Sequence, residues 1–209
     1  MELIDKKNIL STIGSITSLE LELGCGNSKR NRKAIGIDIL DYPDVDIVGD
    51  IYDVLAAFPD HSVDAVYSYH FVEHVPDVSK LLFELARIVK PNGYVEFVAP
   101  HFSNPYFYSD PTHRNFFGLY TFCYYATESF FARRVPMYDY KAEFSISSVD
   151  LVFKSPKPFF VRYGIKYLIG IVFNSCTCLK EFYEENLCYF FPCYEVRYLL
   201  RRHENTSFI

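Results

Sequence analysis

Apolar positions in the first half of the chain form short blocks separated by polar segments. Five of these blocks have the length and the β-branched content of buried strands. They are "SLELEL" (18–23), "AIGIDI" (34–39), "VDIVGD" (45–50), "VDAVYSY" (63–69) and "GYVEFVAP" (93–100). Short strands that alternate with helices or turns predict a parallel sheet covered on both faces.

A helical period separates the last two of these strands. Its apolar side chains fall on one face, namely Leu81, Leu82, Leu85, Ile88 and Val89. The tripeptide "PNG" (91–93) predicts the end of this helix. A second amphipathic helix is predicted over residues 5–16, where it would cap the domain.

After residue 100 the periodicity fades and aromatic residues accumulate, with twelve in the thirty positions 102–131. Strand patterns return in "FSISSVDLVFK" (144–154) and "YEVRYLLRR" (194–202). We therefore predict an α/β fold with a Rossmann-like, doubly wound, mostly parallel sheet of seven strands. The single domain 1–209 is expected to comprise an N-terminal helix (1–18), a ligand-binding core (19–100), an aromatic lid (101–143) and an insertion between the last two strands (155–193).

The first connection of the sheet is unusually short. Only seven residues, Asn27 to Lys33, separate the turn "GCG" (24–26) from the next strand. A right-handed crossover that contains a full helix needs about a dozen residues. The first helix is therefore expected to be vestigial, leaving one face of the first strand poorly covered, which would explain the acidic Glu20 within it.

Composition narrows the class of protein. The chain has 209 residues, enough for one well-packed domain, and a formal net charge of -5. A pI of 5.7 disfavours a nucleic-acid partner, which needs a basic field. Six cysteines and the apparent lack of a secretory leader or of an eighteen-residue apolar run predict a cytoplasmic protein without a transmembrane segment.

Three carboxylates end the first three predicted strands, beside the two glycines of the turn. Glu22, Asp38 and Asp50 should meet at one edge, because the carboxyl ends of parallel strands share a crevice. The dinucleotide fingerprint requires a third glycine where this chain has Lys29. A pyrophosphate would be repelled by Glu22, whereas S-adenosylmethionine offers a sulfonium, an ammonium, a ribose diol and an adenine to the carboxylates.

Successive segments resemble, in order and spacing, the motifs of class I S-adenosylmethionine-dependent methyltransferases. They are "LELGCGN", "IGID", "VGDIYD", "VDAVYSYHFVEHV" and "LARIVKPNGYVEFVAP". The resemblance covers residues 19–100 closely and extends more loosely to "DPTHRNFF" (110–117), which is similar to a segment of small type-11 methyltransferases. The shortened first helix departs from the family pattern.

The resemblance implies S-adenosylmethionine as cofactor, S-adenosylhomocysteine as product and a defined set of binding residues. Gly24 and Gly26 would contact the methionine part, Asp38 the ribose hydroxyls and Asp50 the adenine amino group. The full implied set is Glu22, Gly24, Cys25, Gly26, Asn27, Asp38, Ile39, Asp50, Ile51 and Tyr69. Two alternatives stay open, a loop cap for Asp38 and a helix N-cap for Asp50.

Methyl transfer is an in-line displacement that needs orientation and, for a protonated nucleophile, a base. Three histidines are the candidate catalytic residues. His70 and His101 follow the fourth and fifth predicted strands, and His113 lies in the lid. Glu73 and His74 are expected to be structural.

No metal is expected, although two metal sites are conceivable. "HFVEH" (70–74) matches an inverted zinc-peptidase pattern, but that pattern needs one continuous helix and here Val75-Pro76 follows. His70, His101, Asp110 and His113 are the remaining alternative. The irregularly spaced cysteines predict buried thiols rather than a zinc site. The basic run "KRNRK" (29–33) is either a solvated loop or a grip on an anionic acceptor.

We therefore predict a methyltransferase that acts on a small-molecule acceptor, with O-methylation of a sugar or similar hydroxyl compound as the first expectation. The alternatives are a catalytically silent methyltransferase-like module that binds a partner through its aromatic tail, and a nucleotide-dependent oxidoreductase on the same sheet. An RNA methyltransferase is disfavoured by the charge. The aromatic insertion could form a dimer surface, a peripheral membrane contact or additional core. A monomer and a homodimer are therefore both compatible with the sequence.

Overall fold

The computed structural model describes residues 2–136, 143–155 and 158–203, and its centre is one mixed sheet. The predicted lid and insertion thus each include a few residues, 137–142 and 156–157, that lie outside the described ranges. The strands are β1 (Ile4–Asp5), β2 (Glu20–Leu23), β3 (Ile35–Asp38), β4 (Ile47–Val48), β5 (Val63–Tyr69), β6 (Val89–Pro100), β7 (Phe144–Val152) and β8 (Glu195–Arg202).

The strand order is β1-β4-β3-β2-β5-β6-β8-β7. The five strands from β4 to β6 in this order are parallel to one another, while β1, β8 and β7 pair antiparallel at the two edges. This arrangement confirms the predicted Rossmann-like, mostly parallel sheet, with one strand more than expected. From β2 the chain continues first to β3 and β4 on one side of the sheet and then to β5 and β6 on the other. The strand order therefore switches direction between β2 and β5, and ligands of such sheets bind at the carboxyl ends of the strands beside that switch point.

Five helices flank the sheet in the part of the chain that the structure describes. They are α1 (Ile9–Thr12), α2 (Ile51–Ala56), α3 (Val78–Ile88), α4 (Phe160–Phe173) and α5 (Thr177–Asn186), with 3-10 turns at Ile13–Ser15, Pro105–Ser109 and Thr121–Tyr124. The helix predicted from the apolar period is α3, which begins after Asp77, whose carboxylate accepts a hydrogen bond from the Lys80 amide at 2.9 Å. It ends at Ile88, before "PNG", because Val89 already pairs with Val63 of β5.

The N-terminal helix is shorter than predicted. Ile4 pairs with Val48 as an edge strand, which satisfies backbone groups of β4 that a helix would leave open. The carboxylate of Asp5 then accepts a hydrogen bond from the Leu10 amide at 2.8 Å, at the start of α1. The prediction of one helix over residues 5–16 is thus wrong in length. This segment contains the last residue of β1, the four-residue helix α1 and a 3-10 turn.

The first crossover has no helix within the described segment 24–34, as its length predicted. Turns and bends replace it. The loop instead covers the strand by polar contacts, because the Asn31 side-chain amide donates to the carboxylate of the half-buried Glu20 at 2.7 Å. The acid in β2 is therefore explained by the missing helix.

Aromatic residues of the expected lid contribute to the core as well as to the rim. The ring centroids of Phe97 on β6 and Phe122 are 4.8 Å apart, and the Tyr198 hydroxyl of β8 donates to the Gly118 carbonyl at 2.6 Å. All three rings are almost fully buried. The segment after β6 is thus fastened to the sheet on one side.

The insertion forms α4 and α5, which differ in burial. Lys180 and Tyr183 of α5 are buried, whereas no residue of α4, all of them described, is buried. Phe160 and Val161 are 69% and 79% exposed. Among the described residues, none of the helices has the length and hydropathy needed to cross a bilayer.

Candidate functional site

The glycine turn after β2 adopts a backbone that only glycine tolerates well. Gly24 and Gly26 have φ angles of +62° and +58°. The Phe71 side chain lies against Gly24, with its Cδ2 atom 2.3 Å from the position that a Cβ atom would occupy. The Gly24 amide donates to the Ile37 carbonyl at 2.8 Å, which fixes the turn to β3. The turn therefore combines a strained conformation with a close approach.

Asp38 ends β3 and holds the same turn from the side. Its Oδ2 atom accepts a hydrogen bond from the Gly26 amide at 2.8 Å, and its Oδ1 atom accepts one from the Leu40 amide at 2.9 Å. A carboxylate has about four acceptor sites. Each oxygen therefore keeps capacity for a ligand hydroxyl, and the two backbone donors fix where the carboxylate lies.

Glu22 stands behind the turn rather than in the open crevice. It is 2% exposed, and its two carboxylate oxygens accept hydrogen bonds from the amides of Arg30 and Asn31 at 2.9 and 2.7 Å. The Arg30 guanidinium lies 4.7 Å from the centroid of the Tyr69 ring. The loop that replaces the first helix is thus closed onto the ends of β2 and β5.

Asp50 has the helix N-cap position that was its alternative role, and Cys25 is a buried thiol. Asp50 is the N-cap of α2, with its Oδ1 atom accepting from the Tyr52 amide at 2.9 Å. Cys25 is buried, and burial first of all raises the pKa of its thiol to about 12. Cys25 is therefore a space-filling thiol. Of the other residues that the resemblance implied, Ile51 is buried, Tyr69 is half-buried, and Asn27 and Ile39 are exposed.

His70 follows β5 and is held by two acids. Its φ angle is +53°, an unusual value for a non-glycine residue. Its Nε2 atom donates to Glu195 at 2.8 Å, and its Nδ1 atom is 3.5 Å from Glu73. The hydrogen bond to Glu195, together with the nearby carboxylate of Glu73, raises the pKa of His70 to about 9, against the opposing effect of burial. The imidazole is therefore protonated at neutral pH.

Glu195 completes this charge network from β8. Burial alone would raise the pKa of its carboxyl, but the hydrogen bonds from His70 and Lys154 lower it to about 2. The Lys154 ammonium is 2.5 Å from Glu195 Oε2. The network links the end of β5 to a neighbouring cavity of about 340 Å³. Lys154, Arg162 and Lys166 line that cavity together with apolar and aromatic side chains.

His101 lies apart from the crevice. It is 0% exposed, its Nδ1 atom accepts from the Ser103 amide at 3.1 Å, and its Nε2 atom donates to Glu184 at 3.0 Å. The ring joins the end of β6 to α5. Both ring nitrogens are engaged within the core, so this geometry favours a structural role over the catalytic one expected from the sequence.

His113 lies beside His74 and Glu73, which the sequence analysis treated as structural. The centroids of the two imidazole rings are 4.8 Å apart. The Glu73 carbonyl accepts from the amides of Arg114 and Asn115 at 2.8 and 3.2 Å, which fastens the lid to the loop after β5. The structure thus gathers His70 and His113 around Glu73 and excludes His101. The sequence signals for this gathering were the pair "EH" (73–74) and the segment "DPTH" (110–113).

Comparisons with known proteins concern the family and the fold. Residues 21–97 match the family model described as a methyltransferase domain. No curated protein matches the chain. Among solved structures, a SAM-dependent methyltransferase from Archaeoglobus fulgidus is 19% identical with a TM-score of 0.55, over 94% of this chain and 92% of that one.

Two further solved structures have the same architecture. The YcgJ protein of Bacillus subtilis is 16% identical with a TM-score of 0.52, over 93% of this chain and 98% of that one. A putative sarcosine dimethylglycine methyltransferase from Galdieria sulphuraria is 16% identical with a TM-score of 0.55, over 93% of this chain and 82% of that one. Together with the strand order, these similarities confirm the fold expected from the sequence.

Proposed function

We propose that this chain binds S-adenosylmethionine and methylates a hydroxyl group of a small-molecule acceptor, because residues 21–97 match a methyltransferase-domain family model and the chain has the fold of an S-adenosylmethionine-dependent methyltransferase. The observation that carries the proposal is Asp38, whose carboxylate is fixed by the amides of Gly26 and Leu40 at the carboxyl end of β3. When bound, S-adenosylmethionine supplies an electrophilic methyl group on its sulfonium.

The residues at the turn fit this cofactor. Asp38 keeps acceptor capacity on both oxygens, as two ribose hydroxyls require. Gly26, which has a positive φ angle and no atom within 4 Å of its Cβ position, leaves the backbone open to a ligand, while Phe71 covers Gly24 beside it. Asp50 supplies a second carboxylate from the next strand. A dinucleotide oxidoreductase is disfavoured, since its third glycine is Lys29, which is paired with Asp46.

His70 has a positioning role in this proposal. A proton-accepting base must be neutral, and the two acids around His70 keep the ring protonated at neutral pH. The imidazolium and Lys154 instead place positive charge around the buried Glu195 at the end of β5. The carboxyl end of β5 therefore carries a hydrogen-bonded network of charges before any ligand binds.

The acceptor is proposed to be an anionic compound with an apolar part. Lys154 belongs both to the network of His70 and to the neighbouring cavity, so the cavity adjoins the end of β5. Arg162 and Lys166 add two more cations, and Ile165 and Tyr106 add apolar walls. A phosphate or carboxylate on the acceptor would pair with these cations.

A second candidate function is a methyltransferase-like module that binds a partner. The exposed apolar face of α4, which includes Phe160 and Val161, favours it. The two candidate functions are distinguished by methyl transfer, which the enzyme must carry out and the partner-binding module need not.

Calorimetric titration with S-adenosylmethionine and S-adenosylhomocysteine tests the cofactor. We expect binding to the wild type and a roughly 10- to 100-fold loss in Asp38→Ala, since hydrogen bonds to charged groups contribute about 1.5–3 kcal/mol. Asp41→Ala is the matched control, because Asp41 is an exposed carboxylate three positions away that pairs with Lys6. Binding of a nicotinamide cofactor instead, or equal affinity of Asp38→Ala and wild type, would contradict the proposal.

Transfer of a labelled methyl group tests the acceptor class. Hydroxyl compounds that carry a phosphate or carboxylate are expected to be methylated in preference to neutral ones. Lys166→Ala should raise the KM for such an acceptor, whereas Lys90→Ala, which removes a surface pair with Asp64, should not. Cofactor binding without transfer to any acceptor would favour the partner-binding module.

A further inference from the structure

Glu73, His74 and His113 converge where the loop after β5 meets the lid. Each offers one ligand atom, and these atoms all lie within 4.8 Å of one another. We propose that these three side chains bind one divalent transition-metal ion, with Zn²⁺ as the ion that fits the donor set best. The sequence analysis expected no metal and considered a different set that included His101, which the structure places in the core.

Glu73 is the strongest indication of a cation site. The residue is 0% exposed, and neither carboxylate oxygen has a hydrogen-bond partner among the residues that the structure describes. Its nearest described cation is His70, whose Nδ1 atom is 3.5 Å away and thus beyond good hydrogen-bond geometry. A buried carboxylate without partners is costly, and native proteins normally pair it or use it to coordinate a metal.

The hydrogen bonds of His113 leave a ligand nitrogen available. Its Nδ1 atom is 2.8 Å from the carbonyl oxygen of Phe107. A carbonyl can only accept, so Nδ1 carries the hydrogen of a neutral ring and Nε2 carries the lone pair. Metal-binding histidines commonly donate their other ring nitrogen to a backbone carbonyl in this way.

His74 has an equivalent arrangement through Thr112. The Thr112 hydroxyl donates its one hydrogen to Asp110 Oδ1 at 2.6 Å, so it must accept from the Nδ1 atom of His74 at 2.9 Å. The lone pair of a neutral His74 is therefore also on Nε2. Two histidines from different segments are thus oriented by partners outside the cluster, one by a carbonyl and one by a Thr–Asp pair.

The donor set determines the class of metal. Two imidazoles and one carboxylate suit Zn²⁺ and the neighbouring divalent ions of the first transition series, whereas Mg²⁺ and Ca²⁺ prefer oxygen ligands. Three protein ligands leave a coordination position for water or a substrate oxygen. Asp110 lies at the rim, with its Oδ2 atom 3.7 Å from His113 Nε2 and its side chain 44% exposed.

The position of the cluster suggests a role for the ion in methyl transfer. This role rests on the proposed function. The cluster lies beside His70 at the carboxyl end of β5, the edge at which the sheet places its ligands. A hydroxyl bound at the open position would lose its proton more readily. That would supply the activation of an acceptor hydroxyl.

Metal titration of the purified chain tests the site without any methyl transfer. After removal of metals with a chelator, calorimetry with Zn²⁺ should give one site per chain. Affinity should fall at least about tenfold in Glu73→Gln, in His74→Gln and in His113→Ala, as loss of one ligand requires. His203→Gln is the matched control, since its ring pairs with Thr127 instead. Circular dichroism of each variant establishes that it is folded.

The exposed cysteines need a separate control, because thiolates bind Zn²⁺ well. The prediction of buried thiols is wrong for Cys176 and Cys178, which are exposed at the start of α5, so the titration is repeated in the Cys176→Ser/Cys178→Ser variant. Co²⁺ gives a second readout, since nitrogen and oxygen ligands produce visible bands without the sulfur charge-transfer band of a thiolate site.

Three outcomes would overturn the metal site. They are absence of stoichiometric binding, binding that survives in all three ligand variants, and binding that disappears with the cysteines. Each is distinguishable from failure of the proposed function, because cofactor titration is measured independently. Loss of Zn²⁺ binding in the folded Glu73→Gln variant, with S-adenosylmethionine binding retained, supports the site.

Discussion

Phe71 lies directly over Gly24, with its Cδ2 atom 2.3 Å from the position of a Cβ atom on residue 24. The two residues belong to the turns after β5 and β2, which are neighbours in the sheet. Gly24 is therefore required twice, by its φ angle of +62° and by the ring above it. A turn of this kind is held in place before the ligand arrives.

Gly24→Ala should destabilise the protein and abolish cofactor binding. A strained backbone angle costs about 1–3 kcal/mol, and the clash with Phe71 adds to it. Chemical denaturation measures the loss. Gly14→Ala is the control, because it has no atom within 4 Å of its Cβ position and should change stability little. Adding Phe71→Ala should recover only the part due to the clash, and equal stability of Gly24→Ala and wild type would contradict this account.

Glu22→Ala should loosen the loop that replaces the first helix. The substitution leaves the amides of Arg30 and Asn31 without the carboxylate that accepts from them, at a cost of about 0.5–1.5 kcal/mol for each of these partly buried hydrogen bonds. Hydrogen exchange at these two amides should become faster while exchange in β6 stays slow.

Glu20→Ala is the comparison for that experiment. Glu20 accepts from the Asn31 side chain rather than from the backbone, so its removal should leave the two amides protected. Unchanged exchange of Arg30 and Asn31 in Glu22→Ala would mean that the loop is held by other contacts.

The sheet was predictable because its strands are short apolar blocks with turn residues between them, and local pattern suffices for such elements. The missing first helix was equally predictable, since seven residues cannot contain it. The pairing of β1 with β4 at the edge of the sheet was not predictable. Ile4 and Val48 are far apart in sequence, and nothing in residues 2–8 distinguishes a strand from the start of a helix.

The candidate site divides in the same way. The glycine turn and its carboxylates lie within local motifs, so their positions followed from the ends of the strands. The charge of His70 depends on Glu195, which is 125 residues away and reaches it only through the antiparallel pairing of β8 with β6. His101 likewise meets Glu184 only because α5 packs on the sheet, and no local pattern encodes that contact.

Asp46 should make stability fall in acid. Burial alone would raise the pKa of its carboxyl above the ordinary value of 3.8, but hydrogen bonds from Lys29, Lys7 and the Gly36 amide outweigh burial and lower it. A group with a lowered folded pKa stabilises fully above its unfolded pKa, near 4, and loses that contribution as pH falls through the folded value.

The variant Asp46→Asn separates this effect from general acid denaturation. Its free energy of unfolding should be lower than that of the wild type at pH 6–7, and the difference should shrink as the pH falls below about 4. Urea denaturation of both proteins across this range is the measurement. A difference that does not change with pH would show that Asp46 acts through packing rather than through its charge.

His101→Ala distinguishes a structural histidine from a catalytic one. The ring joins β6 to α5 in the core, so its removal leaves the Ser103 amide without its acceptor, removes one of the two hydrogen bonds to Glu184 Oε2 and opens a cavity. We expect a loss of stability of about 2–4 kcal/mol, as for other buried networks. Affinity for S-adenosylmethionine, measured below the unfolding temperature, should stay within a few-fold of wild type.

The control for His101 is His61→Ala, which changes an exposed histidine just before β5, at the opposite end of the strand from the crevice. The Nδ1 atom of His61 is 3.4 Å from the Val89 carbonyl. Its removal should cost much less, because its single contact is long and partly hydrated. His101→Ala could instead be as stable as His61→Ala and yet fail to support methyl transfer. That result would mean that His101 acts on the substrate, and that the buried ring becomes accessible during turnover. Equal transfer at reduced stability assigns it to the core.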